Sequence, residues 1–368
     1  MAKLLHKIEW SEDFSIGNCI MDSEHKALIG IINDLVQDIN IRVKSGEFAE
    51  ILSRMTDYSL NHFSNEEAYM QSINYPDTEN HIKYHKEYVL KTALFNSLYL
   101  TINSPNDSDV VDFLHKWWVN HIMSEDKKYE IYKRESIYSE IKRRVLEIST
   151  DAARESGKRF FKEEVNIAGV KSADIGKLSK DLFKNLTDKD KKSVFILCEM
   201  LWRGNILEES FIACSWAYNM RKYFVEEDFY IFENWIERFV TNWASCDTFC
   251  NHTMGEIIDM YPHLTDNLMG WCKSENRWKR RAAAVSLIVP AREGRFMDEV
   301  FQIADLLLLD EDDMVRKGYG WLLKVCSNKH QEEVFDFVMK RKDVMPRTSL
   351  RYAIEKMPAQ LKARAMKR

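Results

Sequence analysis

The sequence predicts an all-α chain of two domains, a four-helix bundle followed by a helical-repeat solenoid. Three observations carry this. Only 12 glycines and 6 prolines punctuate 368 residues, and the runs between them are long and amphipathic. Histidines and carboxylates recur at helical spacing through the first third. Tryptophans recur in the remainder at gaps near those of stacked helix pairs.

Length and composition set the bounds. The chain is long enough for two domains, each with its own core. Its 45% hydrophobic and 30% charged residues are those of a soluble globular protein. No apolar run approaches the ~20 residues needed to span a bilayer. The opening Met1 to Asp13 turns acidic too early for a signal peptide. Seven cysteines, with no paired spacing, fit a reducing cytoplasm. Residues 1–150 carry 17 basic and 24 acidic side chains, and the rest carry 36 and 34. So mild an asymmetry reads as a solvated surface rather than a nucleic-acid footprint.

The first domain is expected over residues 1–133. Its first helix spans about residues 22–40, with Leu28, Ile31, Ile32 and Leu35 on one face. A second helix runs through Ile51, Met55 and His62 to about Ser72. Tyr75-Pro76-Asp77 starts a third, because proline suits a first turn. The Ser104-Pro105-Asn106-Asp107 break precedes a fourth, carrying Phe113, Trp117, Trp118 and His121. Short loops between such helices make an antiparallel bundle.

Seven side chains stand out in it: His25, His62, Glu66, His81, His85, His121 and Asp126. The spacings are His-x3-Glu, His-x3-His and His-x4-Asp, with His25 alone upstream. Residues four apart share a helix face, so four helices can aim five imidazoles and two carboxylates at one point. That is the ligand count of a two-metal centre. Many imidazoles with few carboxylates suit iron, zinc or copper better than magnesium or calcium.

The stretches Met21-Asp22-Ser23-Glu24-His25-Lys26, His62-Phe63-Ser64-Asn65-Glu66-Glu67, His81-x3-His85 and His121 to Asp126 resemble the bacteriohemerythrins from Trp10 to about Tyr132. The resemblance implies two non-haem irons with an oxo or hydroxo bridge. His81, His85 and His121 would hold one iron, and His25 and His62 the other. Glu66 and Asp126 would bridge them. Dioxygen, or another small diatomic molecule, would be the ligand. His6 and His115 fall outside the pattern.

The second domain is expected over residues 134–368, entered almost directly from the fourth helix or through a short hinge. Trp243, Trp278 and Trp321 lie 35 and 43 residues apart, close to the ~40–47-residue period of HEAT-type pairs. Trp243 and Asp247 share a helix face, as do Trp278 and Arg281. Stacked repeats would line one concavity with three indoles, a carboxylate and a guanidinium. Aromatic faces attract cations, a carboxylate stabilises a developing sugar cation, and an arginine holds a phosphate. Cys246 and Cys250 read as buried free thiols.

Gly169-Val170-Lys171, Leu178 to Asp181, Trp243-x3-Asp247, Asn276 to Ala283 and Gly320-Trp321 resemble the AlkD-type DNA alkylation repair family, over residues 150–355. The resemblance implies a DNA glycosylase that hydrolyses the N-glycosidic bond of N3- or N7-alkylated purines in double-stranded DNA. Asp247 would be the catalytic carboxylate, Trp243 and Trp321 would contact the lesion nucleotide, and Arg281 the backbone beside it. Phe160 is a weaker match. The alternative is a non-enzymatic sensor of oxygen, nitric oxide or redox state, whose solenoid binds a protein or nucleic acid.

Overall fold

The computed structural model describes residues 6–41, 47–99, 101 and 105–367. Among these there is no strand, and no helix is long and apolar enough to cross a membrane. The chain divides into two compact units, Met1–Ser139 and Glu140–Arg368.

The first unit is built from α1 (Cys19–Ile41), α2 (Glu47–Ser72), α3 (Thr78–Tyr99) and α4 (Asp107–Asn120). Helix α1 starts at Asn18, whose side chain accepts from the backbone N–H groups of Ile20 and Met21. Asn106 caps α4 in the same way, satisfying donors that a helix start leaves unpaired. Leu28, Ile32, Leu35, Leu52, Met55, Leu114 and Trp118 meet in a fully buried core. Tyr88 of α3 packs on Trp117 of α4 with ring centroids 4.4 Å apart.

Helix α4 does not stop where its α geometry ends. It runs through a π-helical turn, His121–Asp126, into α5 (Lys127–Glu147). Lys133 donates to the hydroxyl of Tyr69, and Arg134 to the carbonyl of Ile16. These contacts tie the first turns of α5 to the first unit. The division falls at 139/140, inside α5.

The second unit continues with α6 (Asp151–Lys158), α7 (Ser172–Asn185), α8 (Lys191–Arg203), α9 (Leu207–Asn219) and α10 (Asp228–Phe239). Helix α11 (Trp243–Phe249) runs through a second π-helical turn, Cys250–Met254, into α12 (Gly255–Met260). Then come α13 (Thr265–Trp271), α14 (Arg277–Val285), α15 (Ile288–Arg292), α16 (Met297–Leu306), α17 (Asp313–Cys326), α18 (Gln331–Arg341), α19 (Arg347–Ala353) and α20 (Ala359–Met366). An inner row forms because α9 packs on α11, α11 on α14, α14 on α17 and α17 on α19. The helices between them form the outer layer.

The inner row is periodic. Its helices begin after Ile206, Asn242, Asn276, Asp312 and Pro346, so successive starts lie 36, 34, 36 and 34 residues apart. Asn242, Asn276 and Asp312 each accept a backbone N–H of their own first turn. This period is shorter than the ~40–47 residues of the HEAT-type pairs to which the tryptophan gaps were compared. Trp243, Trp278 and Trp321 stand one, two and nine residues past their caps and are not equivalent. Trp278 is also a core residue, 6% exposed, so only two of the three indoles remain for a concave face.

Candidate functional site

The seven predicted ligands of the first unit converge. All are buried. One group joins Glu66, His81, His85 and His121, a second joins His25, His62 and Glu66, and within each the ligand atoms lie within 4.8 Å of one another. Glu66 belongs to both. Asp126 also reaches both sides, with Oδ2 3.2 Å from His25 Nε2 and Oδ1 3.1 Å from His121 Nε2.

The α-helical repeat puts Glu66 under His62 and His85 beside His81, but His121 and Asp126 are five residues apart. In an α-helix that offset turns the two side chains well away from each other. The π-helical turn spanning them widens the coil by one residue and restores a common face.

These polar atoms are not satisfied by one another. Eight of them, on His25, His62, Glu66, His81 and Asp126, are buried without a hydrogen-bond partner. His85 Nε2 and His121 Nε2 face each other at 3.1 Å. Buried polar atoms in proteins are nearly all paired, so such a cluster has the chemistry of a cation site. Burial pushes the imidazoles of His25 and His121 down, toward the neutral form that donates to a metal. Burial raises Glu66, but the pull of the neighbouring His81, His85 and His62 imidazoles outweighs it and holds the carboxyl well below its ordinary value. Asp126 is pushed well up by its burial and by the charge of Glu66.

An outer set of residues orients the donors. Glu24 Oε2 sits 2.6 Å from His62 Nδ1, and Asn65 donates to its other oxygen at 2.9 Å. Glu67 Oε1 is 2.9 Å from His85 Nδ1. Each leaves the Nε2 of its histidine directed inward. Phe63 stacks on His85 at 3.9 Å and Trp117 on His121 at 4.2 Å, fixing both ring planes. Glu24 and Glu67 lie inside the quoted stretches, but only the fold reveals their partners.

In the second unit, Asp247 and Arg281 meet because they occupy the same place in successive repeats. Each is five residues past its cap. Arg281 Nε and Nη2 donate to Asp247 Oδ1 and Oδ2, both at 2.8 Å. Arg281 Nη1 donates to the carbonyl of Met314. A Cβ on Gly318 would lie 3.3 Å from Arg281 Cγ. Met314, Gly318 and Trp321 follow one stripe of α17, so half-buried Trp321 lies on the face turned to Arg281. Burial pushes Asp247 above the ordinary carboxylate range against the pull of Arg281, and the aspartate in turn raises Arg281. A side chain 15% exposed leaves Asp247 one open edge. Burial pushes the Cys246 thiol well up, so it stays protonated.

Trp243 sits one turn before Asp247. Its Nε1 donates to the carbonyl of Phe160 at 3.4 Å, and its ring lies 5.6 Å from that of Phe161. Beside it is a cavity of about 730 Å³ walled by Phe160, Phe161, Ile167, Val170 and Phe211. Phe160 and Phe161 approach from more than 80 residues upstream of Trp243, beyond what local spacing can show. The neighbouring basic stretch is tied internally: Arg277 to Glu163 and Asp312, Lys279 to Glu233, and Arg280 to Asp310.

The known proteins that match divide the chain in the same way. A family model described as hemerythrin HHE cation binding domain matches residues 18–130. Bacteriohemerythrin from Pseudomonas paraeruginosa is 26% identical over 133 residues, 36% of this chain and 86% of that protein. The hemerythrin-like protein of Naegleria gruberi is 29% identical over 121 residues, 33% of this chain and 89% of its own. A solved structure titled as a predicted DNA alkylation repair enzyme from Enterococcus faecalis superposes with a TM-score of 0.52 at 17% identity. It covers 57% of this chain and 97% of its own, and supports the fold. The model for DNA alkylation repair enzyme matches residues 141–357, more than half of the chain. The chain therefore belongs to the DNA alkylation repair enzyme family and carries a hemerythrin-like cation-binding domain ahead of its repair domain.

Proposed function

We propose that the second unit is a DNA glycosylase that releases N3- or N7-alkylated purines from double-stranded DNA, and that the first unit holds a pair of non-haem irons. The observation that carries the enzymatic reading is the two-point Arg281–Asp247 pair, one helical turn from Trp243. Alkylation makes the purine cationic, so the base leaves without a strong acid. The bond between the sugar C1′ and the base nitrogen breaks, and its electron pair goes to the base. Asp247 stabilises the positive charge that develops on the sugar and orients a water molecule. The water oxygen bonds to C1′, and its proton passes to the carboxylate and then to solvent. Arg281 holds Asp247 ionised at neutral pH through a two-point contact with a permanently charged group. Trp243 and Trp321 offer ring faces to the cationic lesion nucleotide. The positions equivalent to Arg281 in the next two repeats are Lys317, which pairs with Asp313, and the exposed Arg351, a cation suited to a phosphate backbone.

In the first unit, His81, His85 and His121 would hold one iron and His25 and His62 the other, with Glu66 and Asp126 between them. When bound, such a pair supplies a coordination position for dioxygen or another small diatomic ligand. The buried, partnerless ring and carboxylate atoms support this reading, and Glu24 and Glu67 keep two of the rings in register. The six buried cysteines of the second unit, none of them in a disulfide, suit a cytoplasmic setting.

The test is direct. Purified protein incubated with N7-methylguanine-containing duplex should release the free base and leave an abasic site. Duplex binding without release would replace the enzymatic reading with the sensor reading, which the internally tied Arg277 and Arg280 favour. Iron content should reach two per chain, with near-ultraviolet charge-transfer bands.

A further inference from the structure

We propose that Tyr69 is a redox residue of the histidine cage, giving up an electron through Tyr129 and its hydroxyl proton to Glu130. The inference rests on the iron reading above and adds a group outside the seven ligands.

Tyr129 lies three residues past Asp126, in the first turn of α5, and is fully buried. Its ring stands edge-on to that of His81, with centroids 5.9 Å apart. It also meets the ring of Tyr69 on α2, at 5.7 Å. Tyr69 is half-buried, so two phenol rings lead from the cage toward the surface. Among the described residues the Tyr129 hydroxyl has no acceptor within hydrogen-bond distance. It has nowhere to leave a proton, and it serves the relay as a bridge for the electron alone.

Tyr69 is equipped differently. Its hydroxyl donates to Glu130 Oε1 at 2.5 Å and accepts from Lys133 Nζ at 2.6 Å. Asn18 donates to the same Glu130 oxygen at 2.9 Å. Glu130 and Lys133 are both buried. A phenol that loses an electron becomes a strong acid, so the electron leaves readily only where a base is positioned to take the proton. A buried carboxylate on the hydroxyl is such a base. Tyr75 also meets Tyr129, at 6.2 Å, and Trp117 stacks on His121 at 4.2 Å. Among the described residues no carboxylate bonds the hydroxyl of the one or the ring nitrogen of the other.

Hydrogen peroxide is the oxidant that this arrangement answers. Its reduction to two molecules of water takes two electrons and two protons. Where the cage can supply only one electron, Tyr69 supplies the second. That electron crosses Tyr129, the hydroxyl proton goes to Glu130, and a neutral tyrosyl radical remains. The two protons that complete the waters come from solvent. One electron from ascorbate, with the proton held by Glu130, restores the tyrosine. Without the relay the oxidising equivalent stays among the ligand histidines.

The test uses the full chain loaded with iron and oxidised by one electron with ferricyanide, then mixed with hydrogen peroxide and frozen. Wild type is expected to show a tyrosyl radical by electron paramagnetic resonance, narrowed when the protein carries ring-deuterated tyrosine. Tyr69→Phe keeps the ring beside Tyr129 and is expected to lose the radical, with iron content and circular dichroism unchanged. Glu130→Gln, which keeps Tyr69 and removes the base, is expected to lower the yield likewise, and Tyr75→Phe to preserve it. Peptide mass spectrometry should find more oxidised His81 and Tyr129 in Tyr69→Phe than in wild type. Equal radical yield in Tyr69→Phe and wild type, a tryptophan radical instead, or no radical in iron-loaded wild type that has consumed peroxide would overturn the relay and leave the iron reading standing. Wild type that binds no iron would overturn both.

Discussion

The histidine cage of the first unit and the Asp247–Arg281 pair of the second both bury charge, and they resolve it differently. In the cage, eight ring and carboxylate atoms have no protein partner, and the surrounding residues hold the donors still without neutralising them. In the pair, both oxygens of the carboxylate are matched by a guanidinium, which also bonds a backbone carbonyl. Removing charge from water costs several kcal/mol per ion unless something repays it. A cage that leaves this unpaid inside the protein is built for an ion from outside. A pair that settles it internally makes no such demand, and in the glycosylase reading proposed above its one open edge meets a transient charge on the substrate.

The first way to break the comparison is at Glu66, which belongs to both ligand groups. Glu66→Ala should abolish binding of the iron pair, whereas His25→Ala should leave the three-histidine side occupied. Iron analysis of the purified variants checks this, with fewer than one and about one iron per chain expected. The second is at Arg281. Arg281→Ala strands Asp247 in a nearly closed site and should destabilise the repair unit by about 3–5 kcal/mol, read by denaturant unfolding. The third is at Asp247. Asp247→Asn should slow base release by about 10²–10³-fold while duplex affinity holds, as measured by release and binding on the same DNA. Because burial raises the Asp247 carboxyl, the wild-type rate should fall as pH drops through a value above the ordinary aspartate range. The smallest expected effect is at the cage wall. Glu24→Gln leaves every ligand in place but weakens the orientation of His62, and iron affinity should fall about 10–100-fold.

Much of both sites was legible because the α-helix repeats. Four-residue spacing placed Glu66 with His62, His85 with His81, and Asp247 with Trp243. Three things were not legible. The five-residue step from His121 to Asp126 needs a π-helical turn, which no local spacing announces. The repeat period was obscured because tryptophans occupy different positions in each repeat, while the caps at Asn242, Asn276 and Asp312 carry it. Contacts such as Trp243 with Phe160 and Phe161, or Arg277 with Glu163, join residues about 80 to 114 apart, and only the packed layers bring them together.

Hydrogen–deuterium exchange of the full chain, with and without two equivalents of ferrous iron, tests the contrast most directly because it reads each helix separately. The account predicts that iron slows exchange in peptides carrying His25, His62 to Glu66, His81 to His85 and His121 to Asp126. Peptides carrying Trp243 to Asp247 and Arg277 to Arg281 should be protected equally in both states. Equal protection of the histidine peptides with and without iron would contradict it, because a cage that gains nothing from the ion was not left unsatisfied for one.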